Sequence, residues 1–114
     1  EIIMTKTNKT HYRTFDDLVI DSFKKNPRLA DRFLDLSLKE YKQDKNDAAL
    51  FLAIKQVAIA KGGFTELAKK TGLSRESLYK TLSANGNPKF NTLKIILESL
   101  GYGFVIKPLA KKSA

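Results

Sequence analysis

The stretch FTELAKKTGLSRESLYKTLSANGN, residues 64–87, is the part of the chain that leaves the fewest folds open. Leu67 and Ala68 sit on a short helical segment, and Ala68 is small enough to let a second helix approach closely. Gly72 follows four residues later, where the chain must turn sharply and a side chain would be unwelcome. Ser74 is placed to cap a following helix by accepting from a backbone N–H. Leu78 and Leu82, at i and i+4, share the inward side of that helix. The spacing predicts two short helices, residues 64–71 and 75–83, crossing through a tight turn as in a helix-turn-helix. Arg75, Glu76, Tyr79 and Lys80 are left facing out, with Ser77 near the edge.

Upstream, Gly62-Gly63 closes a helix expected over about residues 48–61, with Leu50, Ile54, Val57 and Ala58 as its core stripe. Residues 44–47 form a charged turn with Asn46 or Asp47 as cap. A helix from Pro27 to about Gln43 carries Leu29, Phe33, Leu36 and Tyr41 on one side, widened by Ala30, Leu34 and Leu38. Asn26-Pro27 separates it from an earlier helix, since proline suits a first helical position and disfavours helix before it. That first helix starts at Thr14, an N-cap with Asp17 in a capping-box arrangement, and its stripe is Phe15, Leu18, Val19 and Phe23. Residues 1–13 read as a polar tail that holds His11, with Met4 as the natural start. Downstream, Asn85-Gly86-Asn87-Pro88 is a dense turn signal. A helix over about residues 91–100 then buries Phe90, Leu93, Ile96, Leu97 and Leu100, and Gly101 caps it. YGFVIK, residues 102–107, alternates like a strand, and residues 108–114 are a basic tail.

The expected fold is all-α, with five to six helices, a helix-turn-helix core and one short C-terminal β-strand that pairs in a dimer. Its parts are a tail (1–13), an N-terminal helical region (14–46), a helix-turn-helix domain with the strand (47–107) and a basic tail (108–114).

Charge points the same way. The 114 residues hold 21 Lys+Arg against 12 Asp+Glu, a formal net charge of +9. Residues 1–47 hold ten basic and nine acidic side chains, whereas residues 48–114 hold eleven basic and three acidic, Glu66, Glu76 and Glu98. The excess therefore lies on the helix-turn-helix half, as expected for a polyanionic partner; a basic face that merely aids solubility is the plain alternative. With no cysteine there is no disulfide, thiol nucleophile or thiolate metal site, and a single histidine cannot furnish a zinc enzyme. No nucleophile–base pair can be assembled, so neither an enzyme nor a cofactor or metal is expected. No apolar run approaches the roughly 20 residues of a membrane span. A cytoplasmic protein with no membrane partner is expected.

The outward set suits a DNA groove. Arg75, near a helix N-terminus, can donate twice to guanine O6 and N7, and Lys80 can reach base or phosphate. Glu76 can accept from cytosine N4, and Tyr79 offers an apolar body for a thymine methyl and a hydroxyl for phosphate. Free N–H groups at the starts of the helices near residues 64 and 91 are ready phosphate sites. The expected base contacts are Arg75, Glu76, Tyr79 and Lys80; the expected phosphate contacts are Thr65, Ser74, Ser77, Asn87, Lys89 and Asn91.

From Gly63 to Leu100 the chain resembles the Xre/Cro-type helix-turn-helix family, through E-L-A-K-K-T-G-L-S-R, then N-P, then T-L-K-I-I-L-E-S-L-G. S-R-E-S-L-Y-K-T-L-S-A-N-G-N-P, residues 74–88, resembles the narrower group of addiction-module antidote proteins of the HigA type. The upstream helix ending in Gly62-Gly63 also matches that group, and the likeness covers about residues 29–107. The inward residue Leu82 stands at i+4 where the broad family has i+3, which implies a slightly longer recognition helix and a shorter loop before Asn87-Pro88. The resemblance implies an antitoxin that dimerises, represses its own operon at operator DNA and neutralises a small basic RelE/HigB-like mRNA interferase. The acidic residues Asp16, Asp17, Asp21, Asp31, Asp35 and Asp44 of the balanced half could meet such a toxin, or these helices simply pad the core.

A lone strand must pair. Tyr102, Phe104 and Ile106 are the expected dimer-strand residues, since two-fold operators call for two-fold proteins. A toxin sheet or residues 2–5 are the alternative partners. A stand-alone phage-type repressor, or an interaction module without DNA binding, are the competing functions.

Overall fold

The computed structural model describes residues 14–44, 47–83, 86–106 and Pro108. The expected tail with Met4 and His11, the residue 2–5 segment, Asn46, Asn85, Lys107 and the rest of the basic tail lie outside the described residues. Six helices follow one another among them: α1 (Phe15–Lys25), α2 (Pro27–Asp44), α3 (Asp47–Ala60), α4 (Gly63–Thr71), α5 (Arg75–Thr81) and α6 (Phe90–Ser99).

The capping box forms as spaced. The Asp17 N–H donates to Thr14 Oγ1 at 3.0 Å, and the Thr14 N–H donates to Asp17 Oδ2 at 3.2 Å. The buried line of α1 is not the expected one, however. Ile20 and Phe23 are buried, Val19 is half-buried, and Phe15 and Leu18 are 79% and 53% exposed. The reason is polar. Gln56 of α3 is buried, and its amide donates to the Asp16 carboxylate, so Asp16 must lie on the inner side of α1. In α2, Ala30 and Leu34 are buried, and Phe33 and Tyr41 half-buried, while Leu29, Leu36 and Leu38 face outward.

α3 is the centre. Leu50, Phe51, Ala53, Ile54, Gln56, Val57 and Ala58 are all buried, so the helix is covered almost all round rather than along one stripe. It packs against α1, α2 and α4, and α4 in turn packs against α5 and α6. Val57 closes a small cluster with Phe23 and Ala30, and Ile54 belongs to the larger one with Leu34, Leu67, Leu78, Leu82, Ile96, Leu97 and Leu100. The larger cluster joins α2 and α3 to the short-helix half, and half-buried Phe33 and Tyr102 pack against both clusters.

At Lys61-Gly62 the chain bends by 98° between α3 and α4. No single helix among the described residues is long and apolar enough to cross a membrane.

Gly72 ends α4 at φ +79°, the left-handed region, and its N–H donates to the Ala68 carbonyl at 2.9 Å. A Cβ there would meet nothing within 4 Å, so backbone conformation and not space calls for glycine. Gly86 is the converse case: a Cβ would collide with the Thr81 carbonyl.

The C-terminal strand is not formed. Residues 102–106 carry no ladder, because no strand among the described residues stands beside them. Two bonds reverse the chain at the end of α6, Gly101 N–H to the Glu98 carbonyl at 3.0 Å and Tyr102 N–H to Leu97 at 2.9 Å. The Tyr102 hydroxyl then donates to Asp31 Oδ1 of α2 at 2.6 Å, and the Lys61 ammonium lies 5.0 Å from its ring centroid. Tyr102 is thus half-buried against both clusters, while Phe104, Val105 and Ile106 become progressively exposed. Phe90, expected inside, is 66% exposed and meets Phe104 with ring centroids 5.3 Å apart.

Gly86→Ala should cost about 1–3 kcal/mol by denaturant titration, since backbone must move to admit the methyl group; an unchanged midpoint would place the loop elsewhere. Burial first, then the hydrogen bond and the charge of Asp31, push the Tyr102 phenol above its ordinary range. A pKa raised in the folded state stabilises fully below the unfolded value of about 10 and is lost as pH rises beyond it. The stability advantage of the native chain over Tyr102→Phe should therefore shrink above about pH 10; a constant difference would contradict the Asp31 bond.

Candidate nucleic-acid interface

The α4–α5 pair is joined by Gly72-Leu73-Ser74, and each joint residue has a local task. Gly72 turns the chain, half-buried Leu73 packs against the core, and Ser74 caps α5. The Ser74 hydroxyl accepts from the Ser77 N–H at 3.0 Å and donates to Ser77 Oγ at 3.0 Å. Thr71 Oγ1 accepts from the Leu73 N–H at 3.1 Å and donates to the Leu67 carbonyl at 2.9 Å. With the joint held in this way, fully buried Leu78 and buried Leu82 anchor α5 from below. The i+4 spacing read from the sequence is the spacing that packs.

Arg75, Glu76 and Lys80 are consequently exposed, and Tyr79 is 44% exposed. Arg75 and Glu76 stand in the first turn of α5, Lys80 in the last. Tyr79 is not a free side chain. Its ring rests against buried Phe64 with centroids 4.3 Å apart, and the Lys55 ammonium of α3 lies over it at 5.6 Å. Lys55 was not found from sequence, because its contact with Tyr79 spans α3 and α5. The one available signal was a single basic residue inside the apolar run of α3.

The expected phosphate contacts divide into two kinds. Thr65 in the first turn of α4, and Lys89 and Asn91 at the start of α6, are exposed. Both helices begin without a side-chain cap, unlike α1 and α5, so their first N–H groups keep no side-chain acceptor. Ser74 and Ser77 are exposed, but their hydroxyls already serve each other and the helix start. Asn87 joins Lys80, Thr81, Ser83, Gly86 and Pro88 around an open groove at the far end of α5. The structure therefore brings Lys80 and Asn87 together, which their separation across a turn left open.

The acidic residues of the other half are largely occupied. Asp16 accepts from Gln56, Asp17 serves the cap, Asp31 accepts from Tyr102, and Asp35 pairs with Lys39 at 3.1 Å. Among the charged residues that α1 and α2 expose, large apolar side chains also stand out to solvent, including Phe15, Leu18, Leu29 and Leu36. Leu29 and Leu36 border an open groove between the two helices, floored by Phe23 and Phe33 with Arg32 at its edge. Neither the charge count nor the periodicity revealed it, because these leucines read as core. No group of three or more His, Cys, Asp or Glu placed to hold a metal occurs among the described residues.

Residues 21–108 match the family model described as "Probable addiction module antidote protein". An uncharacterised protein of Haemophilus influenzae is 34% identical over 74 residues, spanning 65% of this chain and 75% of that protein. No solved structure matches significantly. The matched residues take in α2 to α6 and the segment after them, so the two-helix unit and the core beneath it lie wholly inside the match. The chain belongs to the family of probable addiction module antidote proteins.

Proposed function

We propose that this chain is the antitoxin of a type II toxin–antitoxin module, acting in the cytoplasm in two ways. As a homodimer of the Xre/HigA type it binds operator DNA and represses its own operon, and it neutralises a small basic RelE/HigB-like mRNA interferase. The observation that carries the first task is α5 itself. This short helix is capped by Ser74 and anchored by Leu78, and it leaves Arg75, Glu76 and Lys80 exposed on the basic half of the chain.

In this reading Arg75 and Glu76 enter the major groove at the N-terminal end of α5, where recognition helices make base contacts. The uncapped starts of α4 and α6, with Thr65, Lys89 and Asn91, receive phosphates on either side. Tyr79 contributes its hydroxyl and ring edge rather than a ring face, since Phe64 and Lys55 flank the ring.

The second task falls to α1 and α2. Since four of their aspartates are engaged within the chain, the toxin is held mainly through the exposed Leu29 and Leu36 and the groove they border. Charge then guides approach more than it fastens the complex.

Arg75→Ala should weaken operator binding by about 1–3 kcal/mol and relax one base position. An equal loss on random duplex would make Arg75 a phosphate contact instead. For the second task, the gene product of the adjacent reading frame is co-expressed with the chain. The native chain should restore growth and co-purify with that product. Leu29→Asp with Leu36→Asp, both exposed, should abolish rescue while leaving operator binding intact; rescue at the native level would move the toxin surface away from the groove.

A further inference from the structure

α3 is an apolar helix, DAALFLAIKQVAIA, in which Lys55 is the one basic residue. Seven of its fourteen residues are buried. A lysine on such a helix ordinarily runs its stem over apolar neighbours and delivers its ammonium to water or to a carboxylate. Lys55 is half-buried, and no carboxylate pairs with it among the described residues. Its ammonium lies over the ring of Tyr79, 5.6 Å from the centroid. That ring is itself braced by buried Phe64 at 4.3 Å, so the cation is directed by a three-membered stack and not by a mobile surface side chain.

Tyr79 lies between Arg75 and Lys80 in sequence on the exposed side of α5. The stack therefore carries a charge from α3, outside the two-helix unit, up to the surface that presents Arg75 and Lys80. A cation over an aromatic face keeps most of its hydrogen-bonding capacity, because the ring takes up only one side of the ammonium. From the geometry we infer that Lys55 is a DNA-backbone contact, held in register by Tyr79, and that the interface extends from α4–α5 onto α3. This inference rests on the DNA-binding reading above and adds to it a phosphate ligand and a positioning residue.

A phosphate contact has a signature that a packing residue lacks. It releases counterion, so each one contributes about 0.9 to the slope of log affinity against log salt, on any sequence. Lys55→Met keeps an unbranched stem over Tyr79 and removes only the charge, and Lys55→Arg restores the charge. Binding of the full-length chain to its own promoter duplex and to a random-sequence duplex is measured between about 50 and 200 mM salt. For Lys55→Met the slope should fall by about 1 on both duplexes, with thermal midpoint little changed. Lys55→Arg should retain the native slope, and Tyr79→Leu should lower it while Tyr79→Phe does not. A native slope in Lys55→Met, with the native chain binding normally, would overturn the Lys55 assignment alone. Absence of salt-dependent binding by the native chain would overturn the DNA-binding reading and this inference with it.

Discussion

The burial of α3 is the constraint on which the other elements depend. Ile54 and Val57 are almost inaccessible, and each removes about 1.5–3 kcal/mol worth of apolar surface from water. They face different clusters: Val57 collects Phe23 and Ala30 from α1 and α2, and Ile54 collects residues from α2 and α4–α6. Apart from the outward line of Ala48, Leu52 and Lys55, the helix is held by both halves at once. The N-terminal helices are consequently part of the same core as the two-helix unit, and Leu34 of α2 shares a cluster with Leu78 of α5. Loss of Ile54 would be felt in the presentation of Arg75, well away from it along the chain.

Around that centre the polar groups act chiefly as ties between helices. Gln56 to Asp16 sets the facing of α1, and Tyr102 to Asp31 returns the end of the chain to α2. Thr14 and Ser74 cap their helices, and the bonds at Gly72 and Gly101 end α4 and α6. Several carboxylates of α1 and α2 thus hold partners within the chain while staying at its surface, Asp17, Asp31 and Asp35 among them. Arg75 and Lys80 of α5 have no such partner among the described residues. Arg75 and Lys80 stay exposed, and an imbalance of charge first seen as a count becomes an imbalance of available charge.

The helices were legible wherever a local rule determined them. Thr14 with Asp17, Asn26-Pro27, Gly62-Gly63 and Gly72-Leu73-Ser74 placed the starts and stops to within a residue or two, because caps and turns are decided by neighbours in sequence. Facing was less legible. Apolar residues on α1 and α2 outnumber the inward positions, so periodicity alone admitted Phe15, Leu18, Leu29 and Leu36 to a core that excludes them. The strand failed for a related reason. Alternation in YGFVIK shows that two faces differ, but a ladder needs a partner, and Tyr102 is claimed by a carboxylate 71 residues away. In the candidate interface, Arg75, Glu76 and Lys80 followed directly from the inward positions of Leu78 and Leu82. The Phe64–Tyr79–Lys55 stack did not, since it is assembled from three helices.

A single titration bears most directly on the account as a whole. Amide NMR spectra of the full-length chain would be followed as duplex DNA from its own promoter is added at physiological salt. The largest shifts should fall on α5 and on the first turns of α4 and α6, with Lys55 of α3 among them, and should leave the exposed side of α1 and α2 unmoved. Shifts centred on α1 and α2, or a response in which the promoter duplex cannot be told from a scrambled one, would contradict it.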